Sequence, residues 1–378
     1  MTKGFNSKLD KIADIWNYFI LQYKYCSGKI RFNEDIKTNY FGDILGYFQD
    51  TIEIIASKKR YSDYSYKFVF TISFLQAIYV QQDLIEEMLE IFKTGINKGD
   101  LKQDENYTIN REIRNELVGH PIRKFEGKLI SSTLFSYQNN QDEIEYLRYH
   151  RDNNFNYEGK RFKIVEIQQR HEKFLEKYFD LILVKLKSIL DEYSAELDKL
   201  EQVIENKTFD TVLKLVELYF ESIFESDFIY DKVSLIKVYG RRNEHKRYQS
   251  FIERFYADLK GSLVEKRAFA KDIFEKKRID NLADNKPVDL NVEIVFTKPG
   301  DRTVQIQPSK VTYHYEIGKL ATRRNLNDFR FFGKVLKSKC QGNSLVLEEL
   351  RHMELNIYDE IEYYTALRLI SKELREDN

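Results

Sequence analysis

The first 286 residues of the chain contain a single proline, Pro121, and the other three (Pro287, Pro299 and Pro308) cluster late. Proline removes a backbone donor and clashes with the preceding turn, which makes it the strongest breaker of a helix interior. So long a stretch with one such breaker predicts a largely helical protein. A chain of 378 residues is long enough for two ordinary domains, each with its own core. Its 27 Phe and 26 Tyr, within a hydrophobic share of 42%, exclude a mainly disordered chain.

Hydrophobic spacing divides the chain further. Leu9, Ile12, Trp16, Phe19, Ile20 and Tyr23 recur at helical intervals, and a second helix is expected near 40–59. Between about 66 and 93, apolar residues such as Phe68, Ile72, Leu75, Ile85 and Met88 cover most of the circumference, which predicts the buried centre of a bundle. Gln81, Gln82 and Asp83 sit inside that helix and must be paired or face a cavity. A polar loop leads to a short helix at about 108–118, which ends at Gly119-His120-Pro121. Segments 129–137 and 143–149 flank a polar tip and predict a β-hairpin. A long helix is expected from about 160 to 205, and several more over 208–281. The stretch 288–316 reads as a two-stranded ribbon around a Pro-Gly turn, and helix returns from about 345. The expected fold class is therefore mainly α. A helical domain with a β-hairpin insertion occupies 1–204, and a helical C-terminal domain with a small β ribbon occupies 205–378.

Lys and Arg balance Asp and Glu at 61 each, so the whole molecule exerts no net pull on a polyanion. Any such site must come from local clustering. One cluster is RRNEHKR at 241–247; another is 323–339, where basic residues alternate with Phe329, Phe331 and Phe332. Basic residues mixed with rings suit single-stranded RNA, although such runs are more often structural. Cys26 and Cys340 cannot make a disulfide framework or a CxxC metal site. No continuous apolar run approaches the roughly 20 residues that span a bilayer, and the N-terminus lacks the apolar stretch of a secretory signal. The expectation is a cytoplasmic protein without membrane contact, metal or cofactor.

The chemically informative string is Arg111-Glu-Ile-Arg114-Asn115-Glu-Leu-Val-Gly119-His120-Pro121. An imidazole that titrates near neutrality can take the proton of a ribose 2′-hydroxyl. A fixed guanidinium can hold the phosphate and the charge developing on its oxygens. Asn115 is placed to orient either the substrate or the histidine. On an ideal helix, six residues turn through about 600°, which leaves Arg114 and His120 roughly 120° apart. Gly119 lets the helix end, and Pro121 biases His120 to extended backbone, so that His120 can leave the helical path. A structural reading is also open: Gly-His-Pro is an ordinary helix stop, and Glu112 or Asp83 is a ready partner for Arg114. His171, on the apolar face of the long helix, reads as a core histidine.

An Arg, a polar residue and then His at this spacing, at a helix end and after a very apolar helix, resembles the HEPN superfamily (higher eukaryotes and prokaryotes nucleotide-binding domains). The resemblance covers roughly 1–200 and is strongest over 67–125. It implies a metal-independent ribonuclease in which Arg114, Asn115 and His120 are catalytic. Asp83 and Gln82 are then expected to face the cleft beside Arg114 or Asn115, and Arg111, Arg123 and Lys124 are further candidates for contacting substrate. It also implies a homodimer acting on RNA, with an antitoxin or regulatory partner in a toxin or phage-defence setting. Some toxin members carry Tyr two residues after the His, where this chain has Ile122. A non-catalytic nucleotide- or protein-binding module is the alternative.

Overall fold

A computed structural model describes residues 2–57, 63–134, 142–154, 156–204, 206–219, 231–275 and 313–376. The strands expected within 288–312 lie outside the described residues, as does the hairpin connection at 135–141. The chain forms two compact units, Met1–Tyr193 with Ala270–Ile279, and Ser194–Phe269 with Asp280–Asn378. The division thus falls inside the long helix, whereas the sequence pattern put it after residue 204.

Unit 1 begins with α1 (Thr2–Ile15), the short α2 (Lys24–Ser27) and α3 (Phe41–Ala56). The central helix α4 (Tyr64–Ile91) starts at Asp63, whose carboxylate accepts the Ser65 and Tyr66 amides. The short α5 (Lys98–Leu101), α6 (Glu105–Arg114) and the long α7 (Ile164–Val203) follow. Phe74, Leu75 and Ile78 of α4 pack with Ile113, Leu117, Ile144 and Ile167 into one core. The expected all-round burial of α4 holds for its centre and C-terminal part only, because Tyr66 and Val69 near its start are largely exposed. By length and composition α4 is also apolar enough to cross a membrane, which corrects the expectation that no segment is. Its interior nevertheless holds three glutamines, and each has a hydrogen-bond partner inside unit 1.

Between α6 and α7 lies a four-stranded antiparallel sheet of order β1-β2-β3-β4, formed by Ile122–Phe125, Lys128–Leu134, Glu143–His150 and Tyr157–Lys163. The expected hairpin is its middle pair. β1 and β2 join through Glu126 and Gly127, both at positive φ, a two-residue turn whose hand suits the twist of paired strands.

Unit 2 contains the remainder of α7, then α8 (Phe209–Tyr219), α9 (Lys232–Gly240) and most of α10 (Lys246–Glu275). It closes with α11 (His314–Thr322), α12 (Leu326–Lys339), α13 (Ser344–Leu355) and α14 (Glu360–Glu376). Leu320, Phe329, Leu336, Leu350, Tyr363 and Leu367 are among the side chains of its core.

Candidate active site around the 114–120 turn

Helix α6 is anchored at its start by Asp104, which accepts the Asn106 amide at 2.9 Å and the Lys177 ammonium at 2.8 Å. Burial is the largest single influence on Asp104 and would raise its pKa, but the hydrogen bonds from Lys177 and Asn106 and the Lys177 charge together outweigh it and hold the carboxyl below its ordinary range. Tyr107, Asn110 and Ile113 face inward, and Arg111 and Arg114, four and seven residues after Tyr107, lie along the edge of that face. After Arg114 the helix does not simply stop. It widens over Asn115–Gly119 into a π-turn, closed by the His120 amide donating to the Asn115 carbonyl at 2.8 Å.

That widening decides the geometry. In an α-helix a residue five positions on would point about 140° away. With i to i+5 closure, Gly119 returns over Arg114 instead: a Cβ on Gly119 would come within 2.6 Å of Arg114 Nη1. Backbone one residue before His120 therefore abuts the guanidinium. Helical arithmetic at 3.6 residues per turn missed this, because nothing in the composition of NELVG announces a π-turn.

Arg114 is held without any acid. Its Nε and Nη2 donate to Gln76 Oε1 at 3.1 and 3.0 Å, and its Nη1 donates to Asn115 Oδ1 at 3.1 Å. Its guanidinium carbon sits 3.9 Å from the centre of the Tyr79 ring. Among the described residues no carboxylate lies within ion-pair distance of Arg114, so neither Glu112 nor Asp83 is its partner. A guanidinium has five N–H donors, and the amide oxygens take three of them. Asn115 Oδ1 thus helps to hold Arg114 in place.

Asp83 pairs one turn earlier, accepting from Arg111 Nη2 at 2.8 Å, and Arg111 also lies 4.0 Å from the Tyr79 ring centre. This corrects the expectation that Asp83 would meet Arg114 or Asn115. Gln82 does not face a cleft: it is fully buried, and its amide donates to the Tyr107 carbonyl at 3.0 Å. Gln76 and Tyr79 are the residues that the sequence reading missed; with Asp83 they are spaced three and four residues apart along one face of α4.

Within the π-turn, Glu116 ties the site to the sheet. It accepts the Tyr146 hydroxyl, Arg123 Nη2 at 3.1 Å and Arg148 Nη1 at 3.3 Å. Arg123 is thereby committed to Glu116, with a long contact to the His120 carbonyl as well. Lys124 is exposed and makes no ion pair among the described residues. The His120 side chain is exposed too, and it has no hydrogen bond among the described residues. The chain after it is pinned, since the Ser132 amide donates to the Pro121 carbonyl at 2.7 Å.

The other candidates resolve into structure. His171 is 2% exposed and its Nε2 lies 2.7 Å from Gln81 Oε1. The Gln81 amide nitrogen already donates to Phe48 O and Thr51 Oγ1, so His171 is the donor and Nδ1 carries the lone pair. Burial pushes its pKa down to about 3, which keeps the ring neutral. In the 241–247 cluster, Arg247 is buried on Glu349 and Arg241 pairs with Glu362. In 323–339, Phe329 and Phe332 enter the core, while Arg324, Lys337 and Lys339 pair with acids; only Phe331 of the three rings is well exposed. Among the described residues no three His, Cys, Asp or Glu side chains converge as a metal site. No protein-family model, curated protein or solved structure matches the chain.

Proposed function

We propose that the 114–120 turn is the site of a metal-independent endoribonuclease of HEPN type, carried by a HEPN-like bundle within 1–204. The observation that carries this reading is the uncompensated charge of Arg114. Two neutral amide oxygens and a ring fix that guanidinium, and two of its N–H groups are left for an anion. Arg114 clamps the scissile phosphate while His120 removes the proton of the adjacent 2′-hydroxyl. The 2′-oxygen then bonds to phosphorus, the bond to the 5′-oxygen breaks, and a 2′,3′-cyclic phosphate and a 5′-hydroxyl result. Because the nucleophile belongs to the substrate, the step needs no metal-bound water. Protonation of the leaving oxygen calls for an acid, and a second copy of His120 across a two-fold axis supplies one. The reading extends to a homodimer, an antitoxin or other regulatory partner, and a toxin or phage-defence role in the cytoplasm.

The alternative is a non-catalytic nucleotide- or protein-binding module. What favours it is the exposed His120 ring, which lacks a hydrogen bond among the described residues to fix its tautomer. The two readings part on one assay: purified protein is incubated with RNA in EDTA and the product ends are mapped. Cyclic phosphate and 5′-hydroxyl ends support the nuclease. Cleavage that appears only with added magnesium, or yields 5′-phosphate ends, would overturn the mechanism.

A further inference from the structure

Strand β1 starts two residues after His120, and the sheet it opens has one face turned away from the core. Along each strand alternate residues share a face. The buried set includes Ile130, Ser132, Ile144 and Tyr146. The opposite set includes Ile122, 79% exposed, with Leu129 and Tyr157, each 64% exposed. Register places Ile122, Ser131, Tyr149 and Tyr157 side by side across all four strands. The Tyr149 and Tyr157 rings lie 5.5 Å apart at the far end of that row. At roughly 4.8 Å per strand the row runs about 14 Å from the strand that carries the candidate catalytic turn.

Isolated exposed apolar residues need no explanation, but Ile122, Tyr149 and Tyr157 share one cross-strand row and Leu129 stands on the same face beside it, which does call for one. The charges on this face are also sorted. Its acids, Glu143 and Glu145, lie at the end remote from the row and are engaged by Arg161. Beside the row stands Lys124, paired in register with Leu129.

We propose that this face is the track for single-stranded RNA leading from the scissile phosphate, with bases stacking on Tyr157 and Tyr149 and Lys124 near the backbone. The proposal rests on the nuclease reading for its direction, since it starts from a phosphate held at Arg114. Single-stranded RNA is the occupant that fits best. Unstacked bases offer a flat apolar face to a ring and a hydrogen-bonding edge to the Ser131 hydroxyl, whereas an A-form duplex hides its bases. A row of this length suits about two or three bases.

The test uses the full chain and a fluorescein-labelled RNA decamer with 2′-O-methyl riboses, which bind but offer no 2′-hydroxyl to attack. Fluorescence anisotropy compares this strand with its duplex in the parent protein and in Tyr157→Ala, Tyr157→Phe and Ile122→Ser. The expected result is tighter binding of the single strand and a dissociation constant about five- to a hundredfold higher in Tyr157→Ala. Ile122→Ser weakens binding as well, while Tyr157→Phe, which keeps a ring, stays near the parent. Binding by Tyr157→Ala and Ile122→Ser equal to the parent would overturn the proposal. So would a change confined to sedimentation, which would make the face a contact between copies. These readouts need no cleavage, so a parent protein that fails to cut ordinary RNA defeats the nuclease reading without imitating either outcome.

Discussion

Gly119 lies against the guanidinium of Arg114, close enough that a Cβ at that position would come within 2.6 Å of Nη1. The neighbour that would have to give way is the end of a flexible side chain rather than backbone. Gly119→Ala should therefore displace the clamp and spare the fold. We expect RNA cleavage to fall by about a hundredfold, the order of loss that a displacement near 1 Å can cause. Thermal unfolding should barely change. A variant that cleaves like the parent would mean that the position of Arg114 is immaterial.

Gln76→Glu tests whether the absence of an acid around Arg114 matters. The side chain keeps its shape and its place against Nε and Nη2, but it gains a charge that competes with phosphate. Stability should hold or rise, while affinity for RNA falls about tenfold, the scale of one charge-assisted hydrogen bond. Unchanged affinity would show that Arg114 does not meet the backbone of RNA.

Stability should depend on pH through His171. Its folded pKa, near 3, lies below the value of about 6.5 expected in an unfolded chain, so between these limits the unfolded state binds the extra proton. Stability is then complete above pH 6.5 and declines as pH falls, by up to about 1.4 kcal/mol per unit. Asp104, whose folded pKa is depressed, adds a further loss only at more acid pH. Trp16 is the single tryptophan and is buried in unit 1, so its fluorescence in urea reports the relevant transition. His171→Gln should flatten the profile between pH 4.5 and 6.5; a slope equal to the parent's would assign the effect to other groups.

The α4 segment marks where sequence reasoning succeeded and where it stopped. A very apolar helix with polar residues inside was legible, and so was the need to pair them. Gln81, Gln82 and Asp83 were read together because they are consecutive, yet successive helical residues point about 100° apart. They reach His171, the Tyr107 carbonyl and Arg111 respectively. The stripe that meets the two arginines is Gln76 and Tyr79 against Arg114, and Tyr79 and Asp83 against Arg111, which helical spacing would have revealed. Strand β1 was missed because the turn between IRKF and KLIS is Glu126-Gly127, in which Glu stands where a two-residue turn usually has Asn, Asp or Gly. Nothing in NELVG signals the π-turn, whose Glu116 and neighbouring Arg114 make contacts with residues distant in sequence.

The shared-cleft proposal predicts dominance. If each cut needs His120 from two copies, mixing parent protein with excess His120→Ala after subunit exchange should lower activity well below simple dilution. Activity proportional to the parent fraction, with a monomer in sedimentation, would assign the acid to another group.

The most direct test of the central claim is single-turnover RNA cleavage in EDTA by Arg114→Ala and His120→Ala, with Trp16 unfolding curves matching the parent. Removing a general base or a charge clamp typically costs about a hundredfold or more. The account predicts that both variants lose at least that much rate while remaining folded. Cleavage by either variant at the parental rate would contradict it.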